Sequence, residues 1–214
     1  MDSPPALDHI IILLPHKDVL SPPSWLTDAF TITPGGRHAD NKTENKLIVF
    51  KDGIYIELIA FIDDSPSNRK SHWWGDKDYG FIDWALTSSD PQDVEAVRSR
   101  LEKLDHQDSL PASYGTAQEG GRRRADGQEV KWKVTFPFGD VKRGEVPFWC
   151  HDLTPRELRV PVDKVATTHP CGAVGVAKVY LAVPDAKRSG YEKFYSALLG
   201  RQSGGMQAGT TGKE

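Results

Sequence analysis

Apolar and polar positions run along this chain in a pattern that occurs twice. Residues 6–14, Ala6-Leu7-Asp8-His9-Ile10-Ile11-Ile12-Leu13-Leu14, are apolar on both faces and predict a buried strand that stops at Pro15. Ser21-Pro22-Pro23 opens a short helix, with serine as cap and proline in the first turn, and Trp25, Leu26, Ala29 and Phe30 give it a buried side. A polar, glycine-bearing loop spans Ile32 to Asn45, and strands follow at Leu47–Phe50 and Ile54–Phe61 around a Lys51-Asp52-Gly53 turn. An irregular polar link over 63–78 contains His72-Trp73-Trp74-Gly75.

The pattern then restarts. Phe81–Thr87 reads as a strand, and Ser89-Asp90-Pro91 opens a helix with Val94, Val97, Leu101 and Leu104 at helical spacing. Residues 112–118 and 129–136 read as paired strands, with Val130, Trp132, Val134 and Phe136 on one face. Between them Gly120–Gly127, including the Arg122–Arg124 run, reads as a solvated loop, and Pro147–Asp152 as the closing strand. The second unit thus runs strand–helix–strand–strand–strand, and the first is read as a copy of the same unit. A repeat of about 70–75 residues is a duplicated supersecondary unit. The fold class is α+β: two βαβββ units, over 5–62 and 78–161, forming a curved mixed sheet or half-barrel.

A third start follows at 170–200. Ala173–Val183 is strand-like, and a helix after Asp185 carries Tyr191, Phe194, Tyr195, Leu198 and Leu199 before Gly200 ends it. Residues 201–214 lack apolar content and are expected to be disordered. The third unit lacks its last three strands, which leaves 173–183 with an open edge. Homodimer pairing through that edge is one outcome, and a shortened, partly defective product is another.

Composition narrows the class. The chain is 38% hydrophobic and 27% charged, ordinary for a globular protein. Its net charge of −3 provides no footprint for nucleic acid or an anionic membrane. No apolar run approaches the ~20 residues of a membrane span. Met1-Asp2-Ser3-Pro4-Pro5 does not read as a secretory signal, and Cys150 and Cys171 do not make a disulfide framework, so a cytoplasmic location is expected.

In the first unit, His9 is in phase with Leu7 and Ile11, and Glu57 with Tyr55 and Ile59. A carboxylate in apolar surroundings must be paired, protonated or metal-bound. A neutral imidazole beside it starts a site for a divalent ion; the alternative is a His–Glu hydrogen bond closing a polar hole. His38 can be a third ligand, a general base or a surface residue, and Asn45 a substrate-orienting amide or a strand-start cap. His72-Trp73-Trp74 can wall a pocket or only pack. Arg156 and Arg159 can clamp a carboxylate or pair structurally. No Ser-His-Asp order, phosphate-cradling loop or CxxC pair is present.

Several stretches carry a resemblance. They are Leu7-Asp8-His9, Pro34-Gly35-Gly36-Arg37-His38, Thr43-Glu44-Asn45, Asp52-Gly53-Ile54-Tyr55-Ile56-Glu57-Leu58-Ile59 and Gly80-Phe81-Ile82-Asp83-Trp84-Ala85. Further on come Val146-Pro147-Phe148-Trp149, Thr154-Pro155-Arg156, Arg159-Val160-Pro161 and His169-Pro170-Cys171-Gly172-Ala173. On these the chain resembles the glyoxalase-like domain proteins of the vicinal oxygen chelate superfamily. The resemblance implies a concave sheet holding a divalent metal ion (Zn, Mn, Fe, Ni or Mg) with ligands from the first and fourth strands, here His9 and Glu57; Glu57 and His38 are the catalytic candidates, and Asn45, Trp84, Trp149 and Arg156 the candidates for substrate contact. Aligning the units sets Asp8-His9 on Asp83-Trp84, so Trp84 stands where a four-ligand member presents histidine or glutamine. Cys150 or His151 falls near the second glutamate position, and a one-residue slip exchanges them. Two functions are in view. One is a metal-dependent enzyme of lyase, isomerase or dioxygenase type acting on a small oxygenated metabolite. The other is a metal-free small-molecule binding protein in which Trp84, Trp132 and Trp149 stack a flat ligand.

Overall fold

Eight strands close on themselves in the computed structural model, which describes residues 5–104, 109–124 and 126–200. The expected tail at 201–214 lies outside the described residues. In the first unit, β1 (Ala6–Leu13) leads through the short helices α1 (His16–Leu20) and α2 (Ser24–Thr27) to β2 (Thr33–His38), β3 (Thr43–Val49) and β4 (Tyr55–Phe61). A covering segment carries α3 (Pro66–Arg69). The second unit is β5 (Gly80–Thr87), α4 (Asp93–Glu102), a short strand β6 (Ala112–Tyr114), then β7 (Gln118–Arg124), β8 (Glu129–Thr135), the short strand β9 (Pro137–Gly139) and β10 (Phe148–Asp152). The one-turn helix α5 (Arg156–Arg159) and the helix α6 (Arg188–Leu199) follow, and α6 is the last helix among the described residues.

The duplication is visible in the pairing. Each unit sets its first strand parallel to its last, β1 beside β4 and β5 beside β10. The remaining strands of each unit follow in antiparallel order. The two units join edge to edge, antiparallel, at β1–β5 and β2–β7. The expected α+β architecture of two βαβββ units is present, and the sheet curls beyond a half-barrel into a closed barrel. Closure satisfies every barrel strand on both sides and leaves no edge.

That closure decides the third start. Residues 173–183 form no strand, because the barrel offers no free edge to pair with, and Tyr180 stands 83% exposed. The open edge on which homodimer pairing was expected is therefore not formed. The helix behind it does form. Tyr191, Phe194, Ala197 and Leu198 are its buried side, packed with Val94, Val97 and Leu101 of α4 against the outer face of β5 and β10. Gly200 ends it in the left-handed conformation.

Other boundaries move for identifiable reasons. The expected loop at Ile32–Asn45 contains β2, and the expected solvated loop at Gly120–Gly127 is mostly β7. Both strands are glycine-rich and short of apolar residues, so neither shows the usual alternation. The hairpin turn falls at Asp126-Gly127, so β8 pairs with β7 rather than with 112–118, and β6 pairs with β9 in a separate ribbon. A further short helix, α1, starts straight after Pro15, and Trp25, expected on the buried side of the next helix, is 64% exposed while Leu26 alone anchors α2.

The placement of Trp84 in the cavity is overturned by the register. A bulge between Leu7 and His9 sets His9 opposite Ala85 and Ile10 opposite Trp84. One extra residue reverses which side chains face inward. Trp84 therefore points out of the barrel, stacked near Tyr195 of α6, and Trp149 lies on the same outer layer beside Tyr114. Truncating Trp84 to alanine removes a buried aromatic from the helix layer and should cost about 3–5 kcal/mol of stability. Urea denaturation of Trp84→Ala, compared with ligand binding in the folded variant, should show the stability loss with binding unchanged; weakened binding would place Trp84 in the site.

Candidate active site

The barrel interior is apolar at one level and polar at the next. Ile11, Leu13, Ile59, Phe61, Ile82, Ala85 and Val134 fill part of it. Beside them lies a cavity of about 160 Å³, walled by Trp73, Trp74, Trp132, Phe136 and Phe148, with His9, His38, Asn45, Glu57 and Arg122 as its main polar side chains. His9 comes from β1, His38 from the end of β2, Asn45 from β3, Glu57 from β4 and Arg122 from β7. The strand pleat aims them inward. In β4, Tyr55, Glu57, Ile59 and Phe61 share the inner face.

His9 and Glu57, 48 positions apart in the chain, meet with His9 Nε2 3.7 Å from Glu57 Oε2. His38 Nε2 lies 3.4 Å from Glu57 Oε1. Each imidazole is held from behind. His9 Nδ1 is 2.5 Å from Asp8 Oδ1, and the ring stacks on Tyr55 at 4.6 Å. His38 Nδ1 is 2.7 Å from Thr43 Oγ1. Both Nε2 atoms are thus left toward the carboxylate, the arrangement by which outer carboxylates and hydroxyls fix metal-binding histidines.

Asn45 is a hub rather than a free substrate contact. Its Nδ2 donates to Glu57 Oε1 at 2.5 Å and lies 3.3 Å from His38 Nε2. Its Oδ1 accepts from the Gly36 amide and from Arg122 Nη1, both at 3.1 Å. All four of its hydrogen-bonding positions are used. A side chain at Gly35 would put Cβ 2.1 Å from Asn45 Oδ1, and one at Gly120 would put it 2.7 Å from Trp132 Nε1, so both backbones approach the site only as glycine.

Behind His9 is a buried ion-pair network. Arg159 donates through Nη1 to Asp8 Oδ1 at 2.8 Å and through Nη2 to Asp8 Oδ2 at 2.9 Å. Its Nε reaches Asp152 and its Nη1 also reaches the Tyr55 hydroxyl. Arg156 joins Asp8, Asp152 and the Gly53 carbonyl. Arg156, expected beside the substrate, instead lies outside the cavity with its guanidinium committed to this network. The structural pairing weighed for both arginines is the arrangement found.

The charge states follow from these contacts. Burial alone would lift the Asp8 carboxyl, but Arg159, and then His9, hold it well below the ordinary carboxylate range. Burial likewise opposes the Glu57 charge, and hydrogen bonds and charge from His38, with His9 and Asn45, outweigh it and bring Glu57 to about 2. Glu57 is therefore ionised at neutral pH: a strong ligand or anion, and a weak base. Burial pushes the Cys150 thiol up. Asp83 is buried and raised to about 6, accepting from Trp74 Nε1 at 2.8 Å and from the Trp84 amide; it stands behind Trp74 rather than in the cavity. Burial lowers His72 to about 4.

Of the two residues near the second glutamate position, Cys150 faces the cavity, while His151 faces outward, stacked on Trp149 and bonded to Ser88. Asp8, His9 and Cys150 bring three ligand atoms within 4.8 Å of one another. That set suits an ion poorly: Asp8 already carries two guanidiniums and the thiol resists ionisation. The His9, Glu57 and His38 donors are chemically the better set, and their ligand atoms stand further apart than those of the first. They set His9 Nε2 by Glu57 Oε2 and His38 Nε2, which also takes the Asn45 Nδ2 contact at 3.3 Å, by Glu57 Oε1, a donor set suited to zinc, iron, nickel or manganese rather than magnesium. The expected wall of His72, Trp73 and Trp74 lines the cavity, as does Trp132. Trp84 and Trp149 do not, for the register reason above. Arg122 was missed because Gln118-Glu119-Gly120-Gly121-Arg122-Arg123-Arg124 contains no apolar residue; the Asp126-Gly127 turn beyond it was the available cue to a hairpin.

With this geometry in place, comparison with known proteins has a clear outcome. The family described as glyoxalase-like domain matches residues 7–198, and the chain belongs to that family. Among solved structures, a hypothetical protein from Staphylococcus aureus is similar with a TM-score of 0.53 and 20% identity, over 73% of this chain and 62% of that one. The likeness is one of fold, and this chain matches less than two thirds of that protein's length. Methylmalonyl-CoA epimerase from Mycobacterium tuberculosis matches with a TM-score of 0.35 and 18% identity, over 59% of this chain and 77% of that one. No curated protein matches the chain. No helix among the described residues is long and apolar enough to cross a membrane.

Two predictions test this reading. Replacing Arg159 by methionine removes the bidentate partner of the buried Asp8 carboxylate, leaving it to Arg156 alone, and should destabilise the fold by about 3–5 kcal/mol, measured by urea denaturation; a loss under about 1 kcal/mol would mean the network is not organising. For Glu57 the folded value lies below the ordinary one of 4.5, so the folded chain binds fewer protons than the unfolded chain between them. Its contribution is complete above pH 4.5 and fades as pH falls toward 2. In chelator-treated protein, the stability gap between wild type and Glu57→Gln should shrink steadily with acid; a gap independent of pH would contradict an ionised Glu57.

Proposed function

We propose that this chain is a metal-dependent glyoxalase-like enzyme, of lyase or isomerase type, acting on a small oxygenated molecule inside the barrel. One observation carries the reading: two imidazole Nε2 atoms converge on the ionised Glu57 carboxylate while their Nδ1 atoms are tied to Asp8 and Thr43. His9, Glu57 and His38 would hold the ion. When bound, such an ion acts as a Lewis acid on a substrate oxygen and makes a neighbouring proton easier to remove. Asn45 keeps Glu57 and His38 in place. The tryptophan and phenylalanine walls exclude water and orient a small substrate by shape. The low value of Glu57 favours the ligand role over proton transfer in the free protein.

The alternative, a metal-free protein that binds a small molecule between the aromatic walls, is supported by the same Trp73, Trp74 and Trp132 surfaces but leaves the paired histidines with no task beyond a hydrogen bond. Elemental analysis of freshly purified protein separates the two. The enzyme reading expects about one divalent ion per chain. His9→Ala and His38→Ala should each lower the metal affinity by roughly tenfold or more. A wild-type protein that holds no metal, and whose melting temperature is unmoved by added Zn, Mn, Fe, Ni or Mg, would overturn it in favour of the binder.

A further inference from the structure

Arg122 is the cavity side chain whose charge the barrel leaves without a counter-ion. It is 5% exposed and lines the cavity from β7. Its hydrogen bonds go to neutral acceptors: Nη1 to Asn45 Oδ1 at 3.1 Å and Nη2 to the Arg159 carbonyl at 2.8 Å. Among the described residues its Nε–H has no partner, and no carboxylate lies within ion-pair distance. This contrasts with Arg159, 2% exposed, which is saturated by Asp8 and Asp152. A buried guanidinium without an anion is costly, and a guanidinium has five donors in a planar fork suited to a carboxylate.

Its placement relative to Glu57 sets the size of the ligand. One amide, that of Asn45, touches both: Oδ1 takes the Arg122 contact and Nδ2 donates to Glu57. A group held at Arg122 is therefore one side-chain amide away from the His9, His38 and Glu57 donors. The cavity of about 160 Å³ admits only a small molecule.

We infer that Arg122 is a specificity-determining residue that binds the carboxylate of a small 2-oxo or 2-hydroxy acid, setting the oxygen on the adjacent carbon toward His9, His38 and Glu57. This deepens the proposed function by naming its substrate class, and it rests on that reading for the chemistry but not for the binding. An uncharged carbonyl compound of the same size leaves the guanidinium unpaired and binds poorly. Arg122 is buried by the hairpin of β7 and β8, so its charge acts without screening by bulk solvent.

The test is isothermal titration calorimetry with pyruvate and with hydroxyacetone as its uncharged counterpart, on EDTA-treated and on metal-loaded protein. Pyruvate should bind the wild type roughly tenfold or more tighter than hydroxyacetone, with or without metal. Arg122→Gln should abolish most of that preference, pyruvate losing roughly tenfold or more affinity relative to hydroxyacetone. Arg122→Lys, which keeps the charge and loses the fork, should retain part of it. Should Arg122→Gln fail to fold, as judged by its melting curve, the wild-type preference and the Arg122→Lys affinity decide. Equal binding of the two probes, no detectable pyruvate binding, or an unchanged preference in Arg122→Lys and Arg122→Gln would overturn the inference. A wild type that holds no metal as purified and gains no thermal stability from added metal, yet selects pyruvate through Arg122, would sink the metal reading and leave this one standing.

Discussion

Arg159 ties together parts of the molecule that lie far apart in the chain. Its guanidinium closes on Asp8, 151 positions earlier in the chain, and on the Tyr55 hydroxyl and Asp152. Asp8 in turn takes His9 Nδ1, and Tyr55 stacks on the His9 ring. The Arg159 backbone carbonyl receives Arg122. One residue after the last barrel strand thus sets the direction of the β1 imidazole and anchors the β7 guanidinium. Burying these charges is favourable only as a complete set, because any one left alone would face an apolar interior.

The barrel supplies the second constraint. Two βαβββ units meet at two antiparallel seams, and closure turns the inner faces of β1, β2, β3, β4 and β7 toward one cavity. The outer faces of the two units are covered unequally. β5 and β10 carry α4 and α6 over Trp84 and Trp149, and β3 and β4 carry α1 and α2 over Ile48 and Leu58. The duplicated halves have diverged accordingly. The first contributes His9, His38, Asn45 and Glu57, and the second contributes aromatic walls, Cys150 and Arg122.

Glycine has a specific part in this arrangement. The two glycine pairs, Gly35-Gly36 and Gly120-Gly121, lie on β2 and β7, the strands that form the second seam. They let the backbone come close to Asn45 and Trp132, where a methyl group would collide. The same composition concealed both strands in the sequence, since a strand whose inner face is glycine and arginine shows no hydrophobic alternation.

The sequence by itself determined the duplication, the α+β class, the two amphipathic helices α4 and α6, the phase of Glu57 with Tyr55 and Ile59, and that of His9 with Ile11, because each rests on a pattern local to the chain. It did not determine the phase of His9 with Leu7, which the bulge turns outward. Cys150 against His151, and Ala85 against Trp84, were decided only by the tertiary structure. A single bulge in β1 shifts pairing by one residue, and in a strand one residue is the difference between inside and outside. Arg122 and the network around Arg159 were equally out of reach: each depends on contacts between strands far apart in the chain, and such contacts exist only once the barrel has closed.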